Sequence, residues 1–487
     1  MKLKLPEILF SSSLPAESRK LRELLDAGKI RKLLPKAYTS NFEESDAEIV
    51  RKHLFPLIFR HYPEAMISHR TAFEFAPSPD SNIYLTSSQN RIVKWPGVTL
   101  KFAKGPGKLD SDHPFFKDLY VSSLERALLE NLSSSRISDG ELRTLPEEIV
   151  EDKLLLQLNS VGEIGLNDIR DKAGKIAVQL NMLKEFEKLN QKIGAILSTK
   201  PTDILKSPLA MAQAFGEPYD SDRLNVFYKL AGILKTTSFE PRTENATTAD
   251  TFKTFAFFES YFSNYIEGTI FEIEEAADII FRNRIIPNRF GDTHDVKGTF
   301  EICSDRFAMK QVAANANEFL ELLQSRHAIV MRGRPDKAPG LFKEKPNRAG
   351  NTLFVPPAMV IGTLKAGFDL LAGISTPLGR AIFMMFLVSE VHPFMDGNGR
   401  IARIMMNGEL VNAGEQRIII PTVYRDDYIG ALRKLTRQNE PLPFIRMLDR
   451  IHRYSKWLNP HDFETMLDQL KKSAAFEEPE NGKLVWE

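Results

Sequence analysis

The segment that most constrains the fold of this chain is "LGRAIFMMFLVSEV", residues 378–391. It is apolar on nearly every side, so a helix formed by it must be surrounded by other helices. Its apolar part is far shorter than the roughly 20 residues that span a membrane. After a polar loop, "RIARIMMNGELVNAG" has helical periodicity and stops at Gly414. We therefore predict two helices of a buried bundle, joined by "HPFMDGNGR" at residues 392–400.

Composition limits the classes of protein to which the chain can belong. Its 487 residues predict two to four domains. The formal net charge is +1, so overall electrostatics favour neither nucleic acid nor a membrane as partner. The one cysteine, Cys303, excludes an internal disulfide framework and is typical of a reducing compartment. Pro6 and Glu7 interrupt the apolar run that an export signal needs, so we expect a soluble cytoplasmic protein.

Changes of pattern divide the chain into five regions. Residues 1–45 form a basic, partly winged-helix-like segment, and residues 46–150 mix helical spacing with short strands, an α+β signature. Residues 151–204 are a helical connector and linker, residues 205–470 are mainly helical, and residues 471–487 are a tail. The predicted fold class is a mainly α C-terminal helical bundle with a small β-flap, preceded by an α+β domain with a possible partial winged helix.

The basic segment near the start raises the question of nucleic acid. Residues 18–36 contain seven Lys or Arg against two acidic residues, a local charge of +5. A helix followed by a basic hairpin is the back half of a winged helix, which binds DNA. A solvated basic surface explains the same pattern, and the two interpretations stay open.

The loop at 392–400 and the helix after it contain the residue types that phosphoryl-type transfer needs. Gly397, Asn398 and Gly399 place two glycines around an amide at a helix start, where backbone N–H groups and the helix dipole bind phosphate. Arg400 and Arg403 are three residues apart, so both reach the same end of that helix.

Two more side chains of the loop complete this set. Asp396 is a hard oxygen ligand suited to Mg²⁺ that is shared with nucleotide phosphates. His392 can accept a proton from an attacking hydroxyl near neutral pH. A polar helix connection with a Gly-rich turn is the alternative, but the joint occurrence of base, acid, glycines and arginines favours catalysis.

The stretch "HPFMDGNGRIAR", residues 392–403, matches the Fic family signature H-x-F-x-[DE]-G-N-G-R-x-x-R at every defined position. The resemblance extends over about residues 205–470. It implies a helical domain that transfers AMP from ATP, with Mg²⁺, to a Ser, Thr or Tyr hydroxyl of a target protein. By position it implies His392 as the catalytic base, Asp396 as the metal ligand, and five phosphate-binding residues, which are Gly397, Asn398, Gly399, Arg400 and Arg403.

A second motif, "SNYIEG" at residues 263–268, resembles the inhibitory pattern [ST]-x-x-x-E-[GN] of this family. Ser263 and Glu267 lie on one face of a helix near 259–268, and Gly268 is a natural stop. A glutamate at that end can pair with Arg403. The resemblance implies that this pair competes with ATP and inhibits the enzyme. An ordinary helix end is the alternative.

Residues 327–357 are rich in Gly and Pro and end on "TLFVPP", which predicts a hairpin. Fic proteins have a β-flap here that holds a target segment by strand addition. Thr352, Leu353 and Phe354 are the candidate flap residues, with a surface loop around a buried Phe as the alternative. Lys343 stands where relatives often have an arginine.

Stretches such as "LRELLDAGKIRKLLPKAYTS" and "YVSSLERALLENL" resemble the AbiEi-type antitoxin and transcriptional-regulator family over roughly the first 200 residues. That resemblance implies DNA binding or neutralisation of a partner. An autoinhibited AMP transferase is our main hypothesis. A DNA-binding regulator or toxin–antitoxin component with a Fic effector half, and a Fic enzyme that removes AMP or transfers another phosphate-containing group, stay open. A homo-oligomer that buries Glu267 is a further expectation from the behaviour of relatives.

Overall fold

The computed structural model of the protein describes residues 5–135, 142–200 and 203–486. The predicted regions 1–45, 46–150, 151–204 and 471–487 each include a few residues outside these ranges. The chain forms two compact units, Met1–Phe215 and Gly216–Glu487.

The first unit contains nine strands and eight helices among its described residues. The strands are β1 (Ile8–Phe10), β2 (Arg31–Leu34), β3 (Ala37–Thr39), β4 (Met66–Ile67), β5 (Asn82–Ser87), β6 (Arg91–Trp95), β7 (Val98–Lys104), β8 (His113–Phe116) and β9 (Leu119–Val121). The helices are α1 (Pro15–Asp26), α2 (Asp46–Lys52), α3 (Leu54–His61), α4 (Thr71–Glu74), α5 (Leu124–Asn131), α6 (Glu147–Leu180), α7 (Leu183–Ile196) and α8 (Pro208–Ala214).

Two sheets organise this unit. A small antiparallel sheet has the strand order β1-β3-β2. Helix α1 lies between β1 and β2 in the chain, so a helix is followed by a hairpin, β2–β3, as the sequence predicts. A mixed sheet has the order β6-β7-β5-β4-β9-β8 and contains the parallel pairs β5–β7 and β4–β9. The β6–β7 hairpin turns at Pro96 and Gly97, whose positive φ of 71° suits the third position of a type II turn. The α+β prediction is confirmed.

The connector differs from the sequence prediction. The amphipathic pattern of residues 167–197 predicts one continuous helix. This prediction is wrong, because α6 begins at Glu147 and Asn181 leaves the helical conformation with a φ of 56°. Gly162 also interrupts α6 with a φ of 69°. Both helices belong to a packed core with α5, in which Leu154, Leu166 and Ile193 are fully buried. The apolar residues of α6 and α7 pack against each other and against α5, and the spacing of apolar residues along the sequence does not identify these contacts.

The second unit is a helical bundle with one small hairpin. Its helices are α9 (Ser221–Thr236), α10 (Ala249–Ile266), α11 (Ile273–Phe281), α12 (Phe290–Ser304), α13 (Arg306–Lys310), α14 (Ala316–Val330), α15 (Val360–Asp369), α16 (Pro377–Val391), α17 (Asn398–Ala413), α18 (Arg425–Gln438), α19 (Pro441–Trp457) and α20 (Phe463–Lys472). Its strands are β10 (Arg348–Ala349) and β11 (Thr352–Leu353).

Helix α16 is the centre of this bundle. Every residue from Ala381 to Val391 is buried, which confirms the helix predicted to be surrounded by others. It packs along α17 and against α9, where Phe227 and Phe386 meet edge to face at 5.7 Å between ring centroids. The loop between α16 and α17 is therefore fixed at both ends by buried helices.

The expected tail at 471–487 is instead part of the core of this unit. Ala475 and Leu484 are buried, and the Trp486 ring lies 5.2 Å from the Tyr454 ring. Polar residues between them suggested a solvated end, but a few apolar side chains are enough to fix the segment on α19. Within the described ranges, no helix combines the length and the apolar character that crossing a membrane requires.

Candidate active site

His392 ends α16 and is held in the left-handed conformation, with φ of 52° and ψ of 58°. This conformation is uncommon for a residue other than glycine and marks a position held by its surroundings. The ring nitrogen Nδ1 lies 3.2 Å from the carbonyl oxygen of Ser389. Because a carbonyl can only accept, Nδ1 carries the proton, and Nε2 keeps its lone pair for an incoming proton.

The surroundings of His392 also keep its ring neutral. Burial lowers its pKa to about 4, assisted by the charge of Lys343 and opposed by the Ser389 carbonyl and the charge of Glu267. Phe354 stacks on the ring with 3.8 Å between centroids and an angle of 3° between planes. At neutral pH the imidazole is therefore an oriented, unprotonated base.

Asn398 holds the loop in shape. Its Oδ1 accepts from the Phe394 N–H at 2.8 Å, and its Nδ2 donates to the Phe394 carbonyl at 2.9 Å. The residue is almost fully buried. The structure thus assigns this amide to the loop backbone, which differs from the phosphate contact predicted from sequence.

His327, a residue that sequence reasoning missed, holds the same loop from α14. Its Nδ1 accepts from the Gly340 N–H at 2.9 Å and its Nε2 donates to the Asp396 carbonyl at 3.0 Å. The ring stacks on Phe394 with 3.7 Å between centroids. Burial lowers its pKa to about 4, so it is a neutral, fully buried support. It lies 65 positions before His392, and no local pattern distinguishes it from a core histidine.

The N-terminus of α17 faces the loop. Gly397 has a φ of 74°, and a side chain there would meet Met331. Gly399 leaves room for a neighbouring carboxylate, because a Cβ at this position would lie 2.1 Å from Glu267 Oε1. Backbone N–H groups at the start of this 16-residue helix are the groups that the sequence predicts to bind an anion.

Arg400 lies on the first turn of α17 and is buried. Its Nη1 is 2.6 Å from Asp295 Oδ2 and its Nη2 is 3.6 Å from Asp396 Oδ1. Asp295, on α12, is fully buried and also pairs with Arg334 at 2.8 Å. This carboxylate orients Arg400 and was not identifiable from sequence, since an aspartate in mid-helix is usually solvated.

Asp396 presents its carboxylate at the open side of the loop, with 41% of the side chain exposed. Its Oδ1 accepts from the Gly397 N–H at 2.6 Å. Among the described residues no group of three or more His, Cys, Asp or Glu side chains is arranged to hold a metal ion. Asp396 supplies one exposed carboxylate, and one or two carboxylates are what Mg²⁺ takes from a protein when phosphate and water complete its shell.

Arg403, one turn further along α17, is bound to the end of α10. Its Nη2 is 2.6 Å from Glu267 Oε1 and donates to the Ser263 carbonyl at 2.8 Å, while Nε donates to Ser263 Oγ at 2.9 Å. Burial alone would raise the pKa of Glu267, but the charges of Arg403 and Arg400 hold it below its usual value. Gly268 follows with a φ of 87° and ends the helix.

A buried polar cluster joins the same two helices two turns of α10 before Glu267. Glu259 accepts from Asn407 Nδ2 at 2.8 Å and pairs with Arg417 Nη1 at 2.9 Å. Arg417 is fully buried, with its guanidinium 3.8 Å from the Phe252 ring centroid. The order of contacts, 259 with 407 and then 263 and 267 with 403, sets the register of α10 on α17.

The predicted hairpin forms as β10 and β11, with Ala349 opposite Thr352. Thr352 Oγ1 accepts from Arg437 Nη2 at 2.9 Å, and the Leu353 carbonyl accepts from Arg223. The Leu353 side chain is 66% exposed. Of the three candidate flap residues, Phe354 packs on His392, which the sequence interpretation did not anticipate.

The profile of the Fic/DOC family matches residues 319–410, which contain His392, the loop and most of α17. The chain carries a Fic/DOC domain. The "protein adenylyltransferase Fic" of Drosophila erecta is 28% identical over 198 residues, which are 39% of this chain and 38% of that protein. The chain thus spans less than two fifths of the length of this curated relative.

Two solved structures are similar to the chain at lower identity. A Fic domain containing signaling protein from Bacteroides thetaiotaomicron is 20% identical, with a TM-score of 0.38 over 49% of this chain and 95% of that one. Fic-1 from C. elegans, residues 134–508, is 18% identical, with a TM-score of 0.37 over 67% of this chain and 98% of that one.

Glu267 and Asp295 lie outside the residues that match the Fic/DOC profile but contact arginines inside them. The Fic domain is therefore completed by α10 and α12 of the same compact unit. The resemblance of the first 200 residues to AbiEi-type regulators stays a prediction.

Proposed function

We propose that the protein is a protein adenylyltransferase that moves AMP from ATP to a Ser, Thr or Tyr hydroxyl of a target protein, and that Glu267 restrains it. The observation that carries this proposal is the neutral His392 ring, with Nε2 available, beside the positive N-terminus of α17. The Drosophila relatives named protein adenylyltransferase support the same reaction class.

In this reaction the target hydroxyl oxygen attacks the α-phosphorus of ATP. The bond between that phosphorus and the oxygen bridging to the β-phosphate breaks, and pyrophosphate leaves. The hydroxyl proton passes to His392 Nε2, a general-base step worth about 10²- to 10⁴-fold in rate. Backbone N–H groups of α17 and Arg400 bind the phosphates, where developing charge needs fixed donors. Asp396 would hold Mg²⁺, which neutralises phosphate charge when bound.

Inhibition by Glu267 would result from its ion pair with Arg403. A γ-phosphate needs this guanidinium, but Glu267 occupies it at 2.6 Å and puts a carboxylate next to Gly399. A phosphate and a carboxylate cannot share the position without strong repulsion. ATP then binds in a pose that does not align its α-phosphorus for attack.

The β10–β11 hairpin is the proposed contact for the target. Its exposed Leu353 and its free edge fit an extended segment that adds by backbone hydrogen bonds. Arg437 on α18 and Arg223 on α9 donate hydrogen bonds to the hairpin. These bonds would fix the distance between a bound target segment and His392.

The decisive experiment follows label from ATP to protein in three full-length forms: wild type, Glu267→Gly, and Glu267→Gly with His392→Ala. With Mg²⁺, cell lysate as target and α-labelled ATP, we expect strong labelling by the single variant only. The double variant should be roughly 10²- to 10⁴-fold slower. Glu440→Gly, an exposed glutamate beside another helix, is the matched control and should behave as wild type.

Labelling from γ-labelled but not α-labelled ATP would replace AMP transfer with phosphate transfer. Absence of label from both nucleotides with every form would remove the transferase assignment.

A second function, DNA binding, is favoured by one observation in the first unit. Helix α1 has no buried residue, so its cations Arg19, Lys20 and Arg22 are all presented to solvent. Binding of the full chain to duplex DNA that weakens steeply with salt would support it. Salt-independent or undetectable binding would leave α1 as a solvated surface.

A further inference from the structure

Lys343 is a buried cation beside the catalytic loop that the proposed reaction does not use. Only 3% of the residue is exposed. Its Nζ donates to the carbonyl of His392 at 2.8 Å, to that of Val391 at 3.4 Å and to Asn347 Oδ1 at 2.6 Å. Each of these acceptors is uncharged, an unusual set for an ammonium taken out of water.

These acceptors lie at a particular place, the C-terminus of α16. Carbonyl groups of the last turn of a helix have no partner within the helix, and the helix dipole makes this end negative. The ammonium of Lys343 therefore caps α16 at the residue that serves as the base. No other helix end in the described part of the second unit has a lysine this deeply buried against it.

The segment around Lys343 grips the loop through its backbone as well. The Lys343 N–H donates to the Pro393 carbonyl at 2.8 Å, and Asn347 Nδ2 donates to the Phe394 carbonyl at 2.9 Å. Four successive carbonyls, from Val391 to Phe394, thus accept from two residues of one segment. Phe354, at the other end of the hairpin, stacks on the His392 ring.

We propose that Lys343 is a positioning residue for His392, whose ammonium fixes the left-handed backbone at the end of α16 and thereby aims Nε2 at the target hydroxyl. The role in catalysis rests on the proposed function. The positioning itself is a property of the fold and is measurable without transfer.

The charge of Lys343 gives this role a pH dependence. Burial and the nearby charge of Arg223 on α9 lower its pKa to about 8, and Arg223 is itself paired with Glu390 on α16. Above that pH the amine is neutral and binds the carbonyls more weakly. His392 also faces the charges of Glu267 and Asp396. The pKa of Glu267 is held below its usual value, so this carboxylate does not produce an alkaline decline.

The test compares Lys343→Met, Lys343→Arg and Lys345→Met, all in the Glu267→Gly protein, which removes the restraint. Lys345 is exposed and two residues away, so it is a control for the same substitution in the same loop. We expect Lys343→Met to lower kcat roughly 10²-fold, the scale of a small misplacement of a catalytic group, with KM for ATP unchanged. Lys345→Met should have no effect.

The pH profile separates positioning from a merely structural role. We expect the Lys343 protein to lose activity as pH rises through about 8. Lys343→Arg should recover most of kcat and keep it at higher pH, because a guanidinium does not titrate there. An equal alkaline decline in Lys343→Arg, or a kcat of Lys343→Met equal to that of Lys345→Met, would overturn the proposal.

If no variant transfers AMP, the positioning role is tested by amide hydrogen exchange of Val391, His392 and Phe394 in the full chain. Faster exchange in Lys343→Met than in Lys345→Met would support the positioning role while the proposed function fails. Equal exchange would overturn the positioning role independently of any activity.

Discussion

The two ends of the contact between α10 and α17 are built differently. At the Glu259 end, the carboxylate is 5% exposed and is shared by Asn407 and the fully buried Arg417. At the Glu267 end, the side chain is 30% exposed, and Arg403 is its one ion-pair partner among the residues that the structure describes. Buried, multiply bonded charges are costly to disturb, while partly solvated pairs exchange readily with water. We therefore expect the Glu259 contact to stabilise the fold, and the Glu267–Arg403 pair to be displaceable.

The largest effect should come from breaking the Glu259 end. Glu259→Ala leaves Glu244 as the remaining carboxylate beside the buried Arg417 and removes one of the two acceptors of Asn407 Nδ2. We expect the free energy of unfolding to fall by about 3–5 kcal/mol, as for other buried pairs that lose one partner. Denaturant unfolding measures it, with Glu259→Gln as the milder variant. A loss below about 1 kcal/mol would mean that the two ends are equivalent.

Next to the Glu259 contact, a buried histidine should make the free energy of unfolding depend on pH. His452 accepts from Arg242 through Nδ1 at 3.0 Å and donates from Nε2 to the Gln416 carbonyl at 2.8 Å, next to Arg417. Burial lowers its pKa to about 4. Between pH 6.5 and 4, His452 is protonated in the unfolded chain but neutral in the folded chain, so the free energy of unfolding falls as pH falls.

We expect His452 to contribute about 1–3 kcal/mol of this loss between pH 7 and pH 4. The measurement is the difference in free energy of unfolding between pH 7 and pH 5 for wild type and for His452→Gln. The variant should have the shallower dependence. Parallel curves would show that the histidine titrates alike in both states.

A much smaller effect on stability is expected at the Glu267 end. Glu267→Gln removes the charge of a partly exposed pair, which should cost less than about 1 kcal/mol. The same change should raise AMP transfer, because Arg403 is released for the γ-phosphate. Unfolding and labelling measured on one preparation compare the two quantities. A large loss of stability without activation would make Glu267 a structural residue.

Mild acid should leave the restraint almost unchanged. The arginines hold the pKa of Glu267 below its usual value, so its carboxylate stays ionised in mildly acidic solution. The ratio of transfer by Glu267→Gly to transfer by wild type should therefore be the same at pH 5.5 and pH 7.5. A ratio that falls towards one at pH 5.5 would indicate protonation of Glu267 and loss of the pair.

The catalytic loop illustrates how far sequence reasoning extends into the site. The apolar run before His392 and the periodicity after Arg400 predicted two buried helices, and the glycines predicted the anion-binding end of the second. These predictions depend on properties that act over a few residues: side-chain hydrophobicity, helical spacing and glycine conformation. The same local information predicted the β10–β11 hairpin.

Contacts between distant segments were not accessible in this way. His327, Asp295 and Lys343 belong to three different segments, and each orients a residue of the signature. Asn398 illustrates the same limit within the signature, since its sequence neighbours are compatible with a phosphate contact and only the closed loop directs its amide to Phe394. A single sequence does not show which buried polar groups form hydrogen bonds with each other.

Residue type and spacing act locally, so the amino-acid sequence was sufficient to identify the residues available for phosphate chemistry and the helices that must be buried. The protonation and orientation of His392, the partner of Arg403 and the register of α10 became known only from the folded chain. Those properties depend on burial and on charges and carbonyls brought together across up to 148 positions of chain. Solvent exclusion around these pairings makes them strong, and folding alone creates that exclusion.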